Sequence, residues 1–310
     1  MLETDTLRKD FKSKVAVDNV NLYLKQGESV GLLGPNGAGK STLISMLATL
    51  LKPTSGTVTW NGEDILKNTN VIRPILGMVP QEIALYKELT AYENVKFFGK
   101  IYGLRGKRLE ERTQAALELV GLADRQKELV KTYSGGMQRR INIAVALLHE
   151  PAVIIMDEPT VGIDPQSRFY ILDMVKKLKE EKGMTVLYTS HYMEEVEKLC
   201  DRIYIMDHGK IIATGSKEEL ISILSSEEMI KLELDQATVA FKEALRAQKH
   251  ILKVTAWEKG LQLVVSKNSR KLAAIFRLAE EHQIAVHSVH VAVPSLEDVF
   301  LHLTGRKLRD

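Results

Sequence analysis

The sequence predicts an α/β fold, in which a sheet domain with an inserted helical subdomain precedes a small α+β domain. Short β-rich segments alternate with helical segments from about residue 15 to 215, which is typical of a sheet covered by helices. Residues 87–150, approximately, interrupt this alternation and are almost wholly helical. After residue 227 the order of elements becomes βαββαβ, which favours a ferredoxin-like arrangement. We therefore expect one domain over residues 1–220 and a second over residues 227–310.

The strands of the first domain are predicted from apolar runs that do not alternate with polar residues. The segment "ESVGLLG" ends at a glycine-rich turn, and "PAVIIMDE" is continuously apolar, as expected for a strand buried on both faces of a sheet. The segment "GMTVLYTS" supplies a further strand. His208 and Gly209 split "RIYIMDHGKIIATG" into the two strands of a predicted hairpin.

The helical insert contains a segment with a clear apolar face. Gly121 follows this face and is a suitable residue to end the helix, because glycine readily adopts positive φ. The positions that share the face are Leu109, Thr113, Ala116, Leu117 and Val120. The insert is therefore expected to pack as a helical subdomain between two parts of the sheet domain.

The second domain is predicted from period-two alternation and two helical segments. In "MIKLELD", apolar Ile230, Leu232 and Leu234 alternate with charged residues. The helix "VAFKEALRAQ", the hairpin strands "ILKVTAW" and "LQLVVS", the helix "RKLAAIFRLAEEH" and the strand "AVHSVHVAV" follow in order.

A final helix is predicted after Ser295. Ser295 and Asp298 have the spacing of a capping box at a helix N-terminus. The apolar residues on one face of this helix are Leu296, Val299, Phe300 and Leu303. Core packing explains such a face better than binding to a membrane does.

Composition limits the partners that the chain can have. Lys and Arg total 43 against 40 Asp and Glu, so the net charge of +3 gives no broad basic field for nucleic acid. No apolar run reaches the length of a membrane span, and the N-terminal "MLETDTLRKDFKSK" lacks the apolar core of a signal peptide. These features predict a cytosolic chain. Cys200 is the only cysteine and is expected to be an ordinary thiol.

A phosphate-binding loop is predicted directly after the strand "ESVGLLG". The motif G-x-x-x-x-G-K-[ST], the P-loop or Walker A motif, opens the helix "TLISMLATLL". In such a loop backbone N–H groups converge on phosphate oxygens, Lys40 neutralises the β- and γ-phosphates, and Ser41 ligates Mg²⁺. The predicted nucleotide-binding residues of this loop are Gly34, Pro35, Asn36, Gly37, Ala38, Gly39, Lys40, Ser41 and Thr42.

Two acidic residues end the strand "VIIM". Asp157 is placed to hold Mg²⁺ through water, and Glu158 is placed to orient or deprotonate an attacking water. A structural alternative is that "DEPT" simply begins a turn with two capping acids. The strand that precedes these acids, downstream of a phosphate loop, favours the catalytic interpretation.

A second glycine-containing loop, "YSGGMQRR", lies about a hundred residues after the phosphate loop. Ser134, Gly135 and Gly136 open the helix "MQRRINIAVALL" and present a hydroxyl and free N–H groups at a positive helix end. Taken alone, the pattern is explained better by a serine N-cap with glycines for flexibility.

The motifs taken together resemble the ATP-binding subunit of an ABC transporter over about the first 220 residues. The elements appear in the family's order: the phosphate loop, Gln81, "YSGGMQRR", "VIIMDEP", "VGID" and His191. In that family two ATPase subunits pair head to tail, and each ATP lies between the phosphate loop of one subunit and the Ser-Gly-Gly loop of the other. The resemblance therefore implies that the second loop serves the partner's nucleotide, and that the ligands are ATP and Mg²⁺.

The resemblance also assigns roles to single residues. Gln81 resembles the glutamine that senses Mg²⁺ and water, on a loop that also contacts the membrane subunit. His191 resembles the switch histidine that contacts the γ-phosphate, and Asp164 resembles the acid that links the two active sites. Phe11 lies where the family places an aromatic ring against adenine, although Lys12 replaces the glycine that usually follows.

The departures from the family pattern leave the catalytic set complete. Tyr133 and Met137 replace the common Leu and Gln of the signature loop, and these changes affect contacts around the site. Lys40, Glu158 and His191 are all present, whereas a non-hydrolysing member is expected to lack at least one of them.

The C-terminal segment "VPSLEDVFLHLTGRKLRD" resembles the end of ATPases from drug-type exporters, including the daunorubicin-resistance kind. This resemblance implies a homodimer that lies peripherally on the cytoplasmic face of the cell membrane and drives export through separate integral membrane permease subunits. The cargo, which in this group includes drugs, lipids and ions, stays open.

The sequence fits two other functions less well than it fits transport. A soluble ABC ATPase that acts on nucleic acid or ribosomes usually joins two ATPase domains or carries long coiled coils or zinc fingers within the domain, and this sequence has neither feature. A nucleotide sensor without activity is disfavoured by the complete catalytic set. The sequence therefore favours a transport-coupled ATP hydrolase.

Overall fold

The computed structural model describes residues 1–12, 14–224, 227–257, 259–266, 272–292 and 295–305 of the chain. They form two compact units, Met1–Ser216 and Lys217–Gly305. The boundary lies between Ser216 and Lys217, four residues before the predicted end of the first domain at residue 220. Residues 270 and 271 of the predicted second helix of the C-terminal domain, and residues 306–310 of that domain, lie outside the described residues.

A mainly parallel sheet forms the centre of the first unit, with strand order β11-β10-β4-β9-β8-β7. All neighbouring strands of this sheet are parallel except the final β10–β11 pair, which is the predicted hairpin. Every residue of β4, β8 and β9 is buried, and for β8 this burial is predicted by its continuous apolar run. The strands are β4 (Ser29–Leu33), β7 (Leu76–Val79), β8 (Val153–Met156), β9 (Thr185–Thr189), β10 (Arg202–Asp207) and β11 (Lys210–Gly215).

The first unit also contains an antiparallel sheet, with order β2-β1-β5-β6 and β3 paired to β1. The sequence analysis did not predict this sheet. Its first strand has register shifts between Asp5 and Arg8 and between Leu7 and Lys9, and such irregularities interrupt the period-two alternation by which a strand is recognised. The strands are β1 (Leu2–Phe11), β2 (Lys14–Val20), β3 (Tyr23–Leu24), β5 (Ser55–Trp60) and β6 (Glu63–Asp64).

Helices of the first unit cover the parallel sheet and form the helical insert. The predicted apolar face of α3 is buried, and Gly121 follows the helix with a φ of 62°. Thr90 and Glu93 form a capping box at the start of α2. The helices are α1 (Lys40–Leu47), α2 (Ala91–Ile101), α3 (Gly106–Leu119), α4 (Gly135–Leu147), α5 (Pro165–Lys182) and α6 (Met193–Leu199).

Parallel strand pairing brings the predicted site residues to one edge of the sheet. The neighbouring strands β4, β9, β8 and β7 run in the same direction, so their carboxyl ends meet. The loop after β4 begins at Gly34, and the other three strands are followed by Ser190, Asp157 and Pro80. Ligands of open α/β sheets bind at this edge.

The second unit has the predicted βαββαβ order and a ferredoxin-like antiparallel sheet, β13-β14-β12-β15. Its core includes the predicted Ile230, Leu232 and Leu234, together with Phe241 and Leu263. The elements are α7 (Lys217–Leu224), β12 (Glu227–Leu234), α8 (Val239–Arg246), β13 (Ile251–Trp257), β14 (Gly260–Ser266), α9 (Leu272–Glu281), β15 (Val286–Ala292) and α10 (Leu296–Thr304).

The predicted capping box of the last helix is present, since Ser295 accepts from the N–H of Asp298 and Asp298 accepts from the N–H of Ser295. Leu296, Val299 and Phe300 are buried. Among the helices that the structure describes, none is both long and apolar enough to cross a lipid bilayer.

Replacing the buried Leu263 is expected to destabilise the second unit. Leu263→Ala should lower its free energy of unfolding by about 2–5 kcal/mol, because the lost methyl groups leave a cavity. Leu252 in the adjacent strand is 53% exposed, and Leu252→Ala should change stability by less than about 0.5 kcal/mol. Hydrogen exchange of the β12 amides measures both changes, and equal losses of protection would contradict this account of the core.

Candidate active site

The turn between β4 and α1 has the backbone conformation that a phosphate loop requires. Gly37 and Gly39 both have positive φ, of 80° and 107°, which glycine adopts without strain. A Cβ at Gly39 would lie 2.2 Å from the carbonyl oxygen of Ala16, so a larger residue does not fit there. Helix α1 begins at Lys40, directly after this turn.

Lys40 carries a buried positive charge at the start of α1. Its side chain is only 6% exposed, and the ammonium group donates to the carbonyl oxygens of Gly34, at 2.7 Å, and Pro35, at 3.3 Å. Burial lowers the pKa of Lys40, while the charges of Glu158 and Asp157 act in the opposite direction. A buried cation held by carbonyl dipoles favours an anion beside it, so this position fits a phosphate group.

An open cavity of about 350 Å³ lies over the phosphate loop. Phe11 lies at one side of it and is partly exposed, with the Lys9 ammonium 5.2 Å from its ring centroid. The ring is accessible to a planar base, and the adenine contact that the resemblance implies for Phe11 stays a prediction. The cavity is lined by Phe11, Lys14, Ala16, Asn36, Gly37, Ala38, Gly39, Lys40, Ser41, Thr42, Gln81 and Glu158.

Asp157 lies at the end of β8 with a fixed orientation. Its carboxylate accepts from the Thr189 hydroxyl at 2.8 Å, and its backbone N–H donates to the carbonyl of Val79. The pKa of Asp157 is raised, because burial and the charge of Glu158 outweigh the hydrogen bonds from Thr189 and Ser41 and the charge of Lys40. Ser41 and Asp157 are two of the three residues predicted to act at Mg²⁺, with Gln81, and they lie beside each other.

These oxygens fit Mg²⁺. Mg²⁺ prefers oxygen ligands and is often held by only one or two protein groups together with substrate phosphates. Among the residues that the structure describes, no group of three or more His, Cys, Asp or Glu side chains could hold a metal by itself. A hydroxyl and one carboxylate beside a phosphate loop are the donor set that a nucleotide-bound Mg²⁺ requires.

Glu158 contacts both of the other residues predicted to act in catalysis, Gln81 and His191. The Gln81 amide donates to one carboxylate oxygen at 2.8 Å, and Nε2 of His191 lies 2.6 Å from the other. Glu158 itself is buried and has a φ of 49°, a left-handed conformation that costs energy for a residue with a side chain. The surrounding contacts must hold it there, because the isolated chain would leave this conformation.

The environment of Glu158 keeps its carboxylate ionised. Burial raises the pKa, but the hydrogen bond and charge of His191, with the charge of Lys40, outweigh burial and hold the pKa below its usual range. An ionised carboxylate can accept a proton from water, as a general base must.

The second glycine loop begins helix α4 with an N-cap. The Ser134 hydroxyl accepts from the backbone N–H of Met137 at 3.2 Å. A Cβ at Gly135 would meet nothing within 4 Å, whereas one at Gly136 would lie 2.1 Å from the Ser167 hydroxyl and 2.9 Å from a carboxylate oxygen of Asp164. Gly135 therefore faces open space, and Gly136 packs tightly against the start of α5.

Asp164 is brought together with this loop. It caps α5 by accepting from the backbone N–H of Ser167 at 2.8 Å, and backbone and side-chain hydrogen bonds of Ser167 lower its pKa. Ser134 and Asp164 line a separate cavity of about 520 Å³. Among the described residues, the linings of this cavity and of the phosphate-loop cavity have no member in common.

The sequence analysis missed two residues that support the site. The Thr189 hydroxyl, at the end of β9, accepts from the backbone N–H of Glu158 and donates to Asp157. The Arg139 guanidinium donates to the carbonyl oxygens of Pro80, at 2.6 Å, and Gln81. The available signals were a polar residue that ends a buried strand and an arginine in the helix that follows the second glycine loop.

The chain is similar to known proteins. Residues 17–161 match the ABC transporter family. The chain is 50% identical to the linearmycin resistance ATP-binding protein LnrL of Bacillus subtilis strain 168, with 100% of both chains covered. It is 37% identical to the daunorubicin/doxorubicin resistance ATP-binding protein DrrA of Streptomyces peucetius, with 100% of this chain and 94% of that protein covered.

The fold is also similar to that of a solved ATP-binding cassette. A dimeric ATP-binding cassette in a post-hydrolysis state, bound to ADP and Pi, matches with a TM-score of 0.64 and 30% identity, over 70% of this chain and 98% of that chain. The predicted fold class, ATP hydrolysis and the ligands ATP and Mg²⁺ are thereby confirmed, while the roles of single site residues stay predictions. The chain belongs to the family of ATP-binding subunits of ABC transporters, which hydrolyse ATP and assemble with membrane permeases.

Proposed function

We propose that two copies of this chain pair head to tail and power export through separate permease subunits. Each ATP then lies between the phosphate loop of one copy and Ser134–Gly136 of the other. The observation that carries this proposal is that the residues predicted to contact nucleotide form two clusters, which line different cavities of one chain. A second copy supplies the missing half of each site.

The first cluster binds and orients the nucleotide. Lys40 neutralises phosphate charge, Phe11 stacks on the base, and the amides of Gly37 and Gly39 face the phosphates. Ser41 and Asp157 hold Mg²⁺, which neutralises charge that develops on the β- and γ-phosphate oxygens. From the other copy, Ser134 and the exposed N–H groups at the start of α4 approach the γ-phosphate.

Glu158 acts as the general base. Its ionised carboxylate accepts a proton from a water that attacks the γ-phosphorus, and the bond to the leaving ADP oxygen breaks. Gln81 and His191 hold the carboxylate from opposite oxygens, so each is placed to orient the water or the γ-phosphate. Release of phosphate removes the charge that drew the two copies together, and the dimer opens.

A groove beside the Gln81 segment is proposed to receive the permease. It has a volume of about 520 Å³ and is lined by the strand that precedes Gln81, by the end of α1 and by the end of α2. Leu50 and Ile101 line it and are strongly exposed, and Ile101 is 63% exposed. Exposed apolar side chains of this size in one groove are typical of an interaction surface.

The names of related proteins support a proposal for the exported cargo and for the location of the chain. LnrL and DrrA are named for resistance to linearmycin and to daunorubicin and doxorubicin. A relative from Cupriavidus metallidurans, 38% identical over 100% of this chain and 99% of that protein, is named for Nod factor export. We therefore infer that a drug or a similar compound is exported and that the chain lies on the cytoplasmic face of the membrane, held by its permease. None of these names supports action on nucleic acid or ribosomes.

Glu158→Gln is expected to lower the ATPase rate by about 100-fold or more, because a glutamine cannot accept the proton. The variant should still bind Mg-ATP and should elute as a dimer in size-exclusion chromatography with ATP. Lys40→Ala is the matched contrast, since it should lose nucleotide binding and stay monomeric. A Glu158→Gln protein with normal turnover would refute the role of Glu158.

The two glycines of the second loop are expected to respond differently to alanine. Gly136→Ala should destabilise the first unit by about 1–3 kcal/mol, because its Cβ clashes with Ser167 and Asp164. Gly135→Ala should leave stability unchanged or slightly increased, because its Cβ meets open space in the chain, yet it should lower ATP-driven dimerisation. Thermal unfolding and size-exclusion chromatography separate the two effects. Normal dimerisation by Gly135→Ala would count against the proposed interface.

Tagged Glu158→Gln protein, purified with Mg-ATP from detergent-solubilised native membranes, is expected to bring a multi-span membrane protein with it. Adding Ile101→Lys should lower that recovery at least about tenfold, a loss that corresponds to 1.4 kcal/mol or more. Ile212→Lys is the control, because Ile212 is also exposed but lies in β11, at the opposite edge of the sheet from the groove. Recovery of ribosomal or DNA-associated proteins without a permease would overturn the transport proposal.

A further inference from the structure

A buried carboxylate, that of Glu195, follows His191 by four residues in the sequence. Glu195, in α6, is only 1% exposed. Among the described residues, the side chains that donate to it are Thr160 at 2.8 Å, Tyr188 at 2.9 Å, Ser190 at 2.5 Å and Arg168 at 2.5 Å. Burying a carboxylate is costly unless a cation and hydrogen bonds compensate, and this carboxylate has both.

The donors come from the segments that carry the predicted catalytic and dimer-contact residues. Thr160 follows Glu158 by two positions, and Ser190 immediately precedes His191. Arg168 lies in the first turn of α5, whose N-cap is Asp164. One carboxylate thus joins the segment 158–168, which holds Glu158 and Asp164, to the segment that carries His191.

The contacts of Glu195 fix the backbone on both sides of His191. The Ser190 hydroxyl donates to Glu195 and accepts from the backbone N–H of Tyr192 at 2.9 Å. The Arg168 guanidinium, which pairs with Glu195, lies 3.8 Å from the centroid of the Tyr192 ring. The residues before and after His191 are therefore anchored to the same carboxylate.

We propose that Glu195 is a positioning residue that holds His191 against Glu158 and joins this geometry to the α5 segment that begins at Asp164. The inference rests on the role given to His191 in the proposed function. His191 Nε2 lies 2.6 Å from Glu158, so a displacement of about 1 Å would break this contact, and misplacement on that scale costs up to about 100-fold in rate.

The test compares Glu195→Gln with Glu194→Gln in the full chain. Glu194 is the adjacent residue of the same helix and is exposed, so the control removes the same charge without touching the network. Glu195→Gln should lower kcat at least about tenfold and leave KM for ATP within about threefold, because Glu195 does not line the nucleotide cavity. Glu194→Gln should match the parent protein.

Histidine NMR distinguishes positioning from general destabilisation. The ring resonances of His191, assigned by their absence in His191→Ala, should shift in Glu195→Gln and not in Glu194→Gln, while those of His149 stay in place. If Glu195→Gln does not fold, Ser190→Ala gives the same test, because it removes one hydroxyl of the network and keeps the carboxylate.

Each outcome has a definite reading. A normal kcat in a folded network variant, or His191 resonances that do not move, would overturn the role of Glu195. A kcat loss that is matched by equal losses of ATP affinity and thermal stability would also overturn it, since that is the behaviour of a purely structural residue. Wild-type turnover by His191→Ala would instead refute the proposed role of His191, so the two failures are distinguishable.

Discussion

Parallel pairing of β4, β9, β8 and β7 is the constraint on which the site depends. Because these strands run in one direction, the segments that follow them emerge at one edge, although they lie up to about 160 residues apart in the sequence. Antiparallel pairing of any one of them would carry its catalytic residue to the opposite edge. The contacts of Glu158 with Gln81 and His191 join the ends of three different strands. The geometry of the candidate active site is therefore a consequence of sheet topology.

Structural features that depend on a few neighbouring residues were predictable from the sequence. The phosphate loop, the apolar face of α3 and the capping box at Ser295 each depend on spacings of a few residues, and local spacing is what sequence patterns record. The fold class was predicted for the same reason and is confirmed. The grouping of Lys40, Asp157 and Glu158 around one cavity agrees with the roles predicted for them, and those roles await measurement.

Features that depend on tertiary contacts were not predictable. The first antiparallel sheet was missed because irregular pairing conceals its alternation. Thr189 and Arg139 were missed because their roles depend on hydrogen bonds to residues that are distant in the sequence. The Thr189 hydroxyl donates to Asp157, and the Arg139 guanidinium donates to the carbonyl of Gln81. A polar side chain buried at the end of a strand must find such partners, but its sequence neighbours do not identify them.

Helix α4 connects the Ser134–Gly136 loop to the segment that carries Gln81. Ser134 caps its start, and Arg139, little more than one turn later, donates to the carbonyl oxygens of Pro80 and Gln81. A shift of α4 that left Gln81 behind would break these bonds and leave a buried charged donor unpaired, which is costly. The start of α4 and the Gln81 segment are thus expected to move together. In the proposed dimer, contact of a second copy with Ser134 would therefore affect both Gln81, which donates to Glu158, and the strand that lines the groove proposed for the permease.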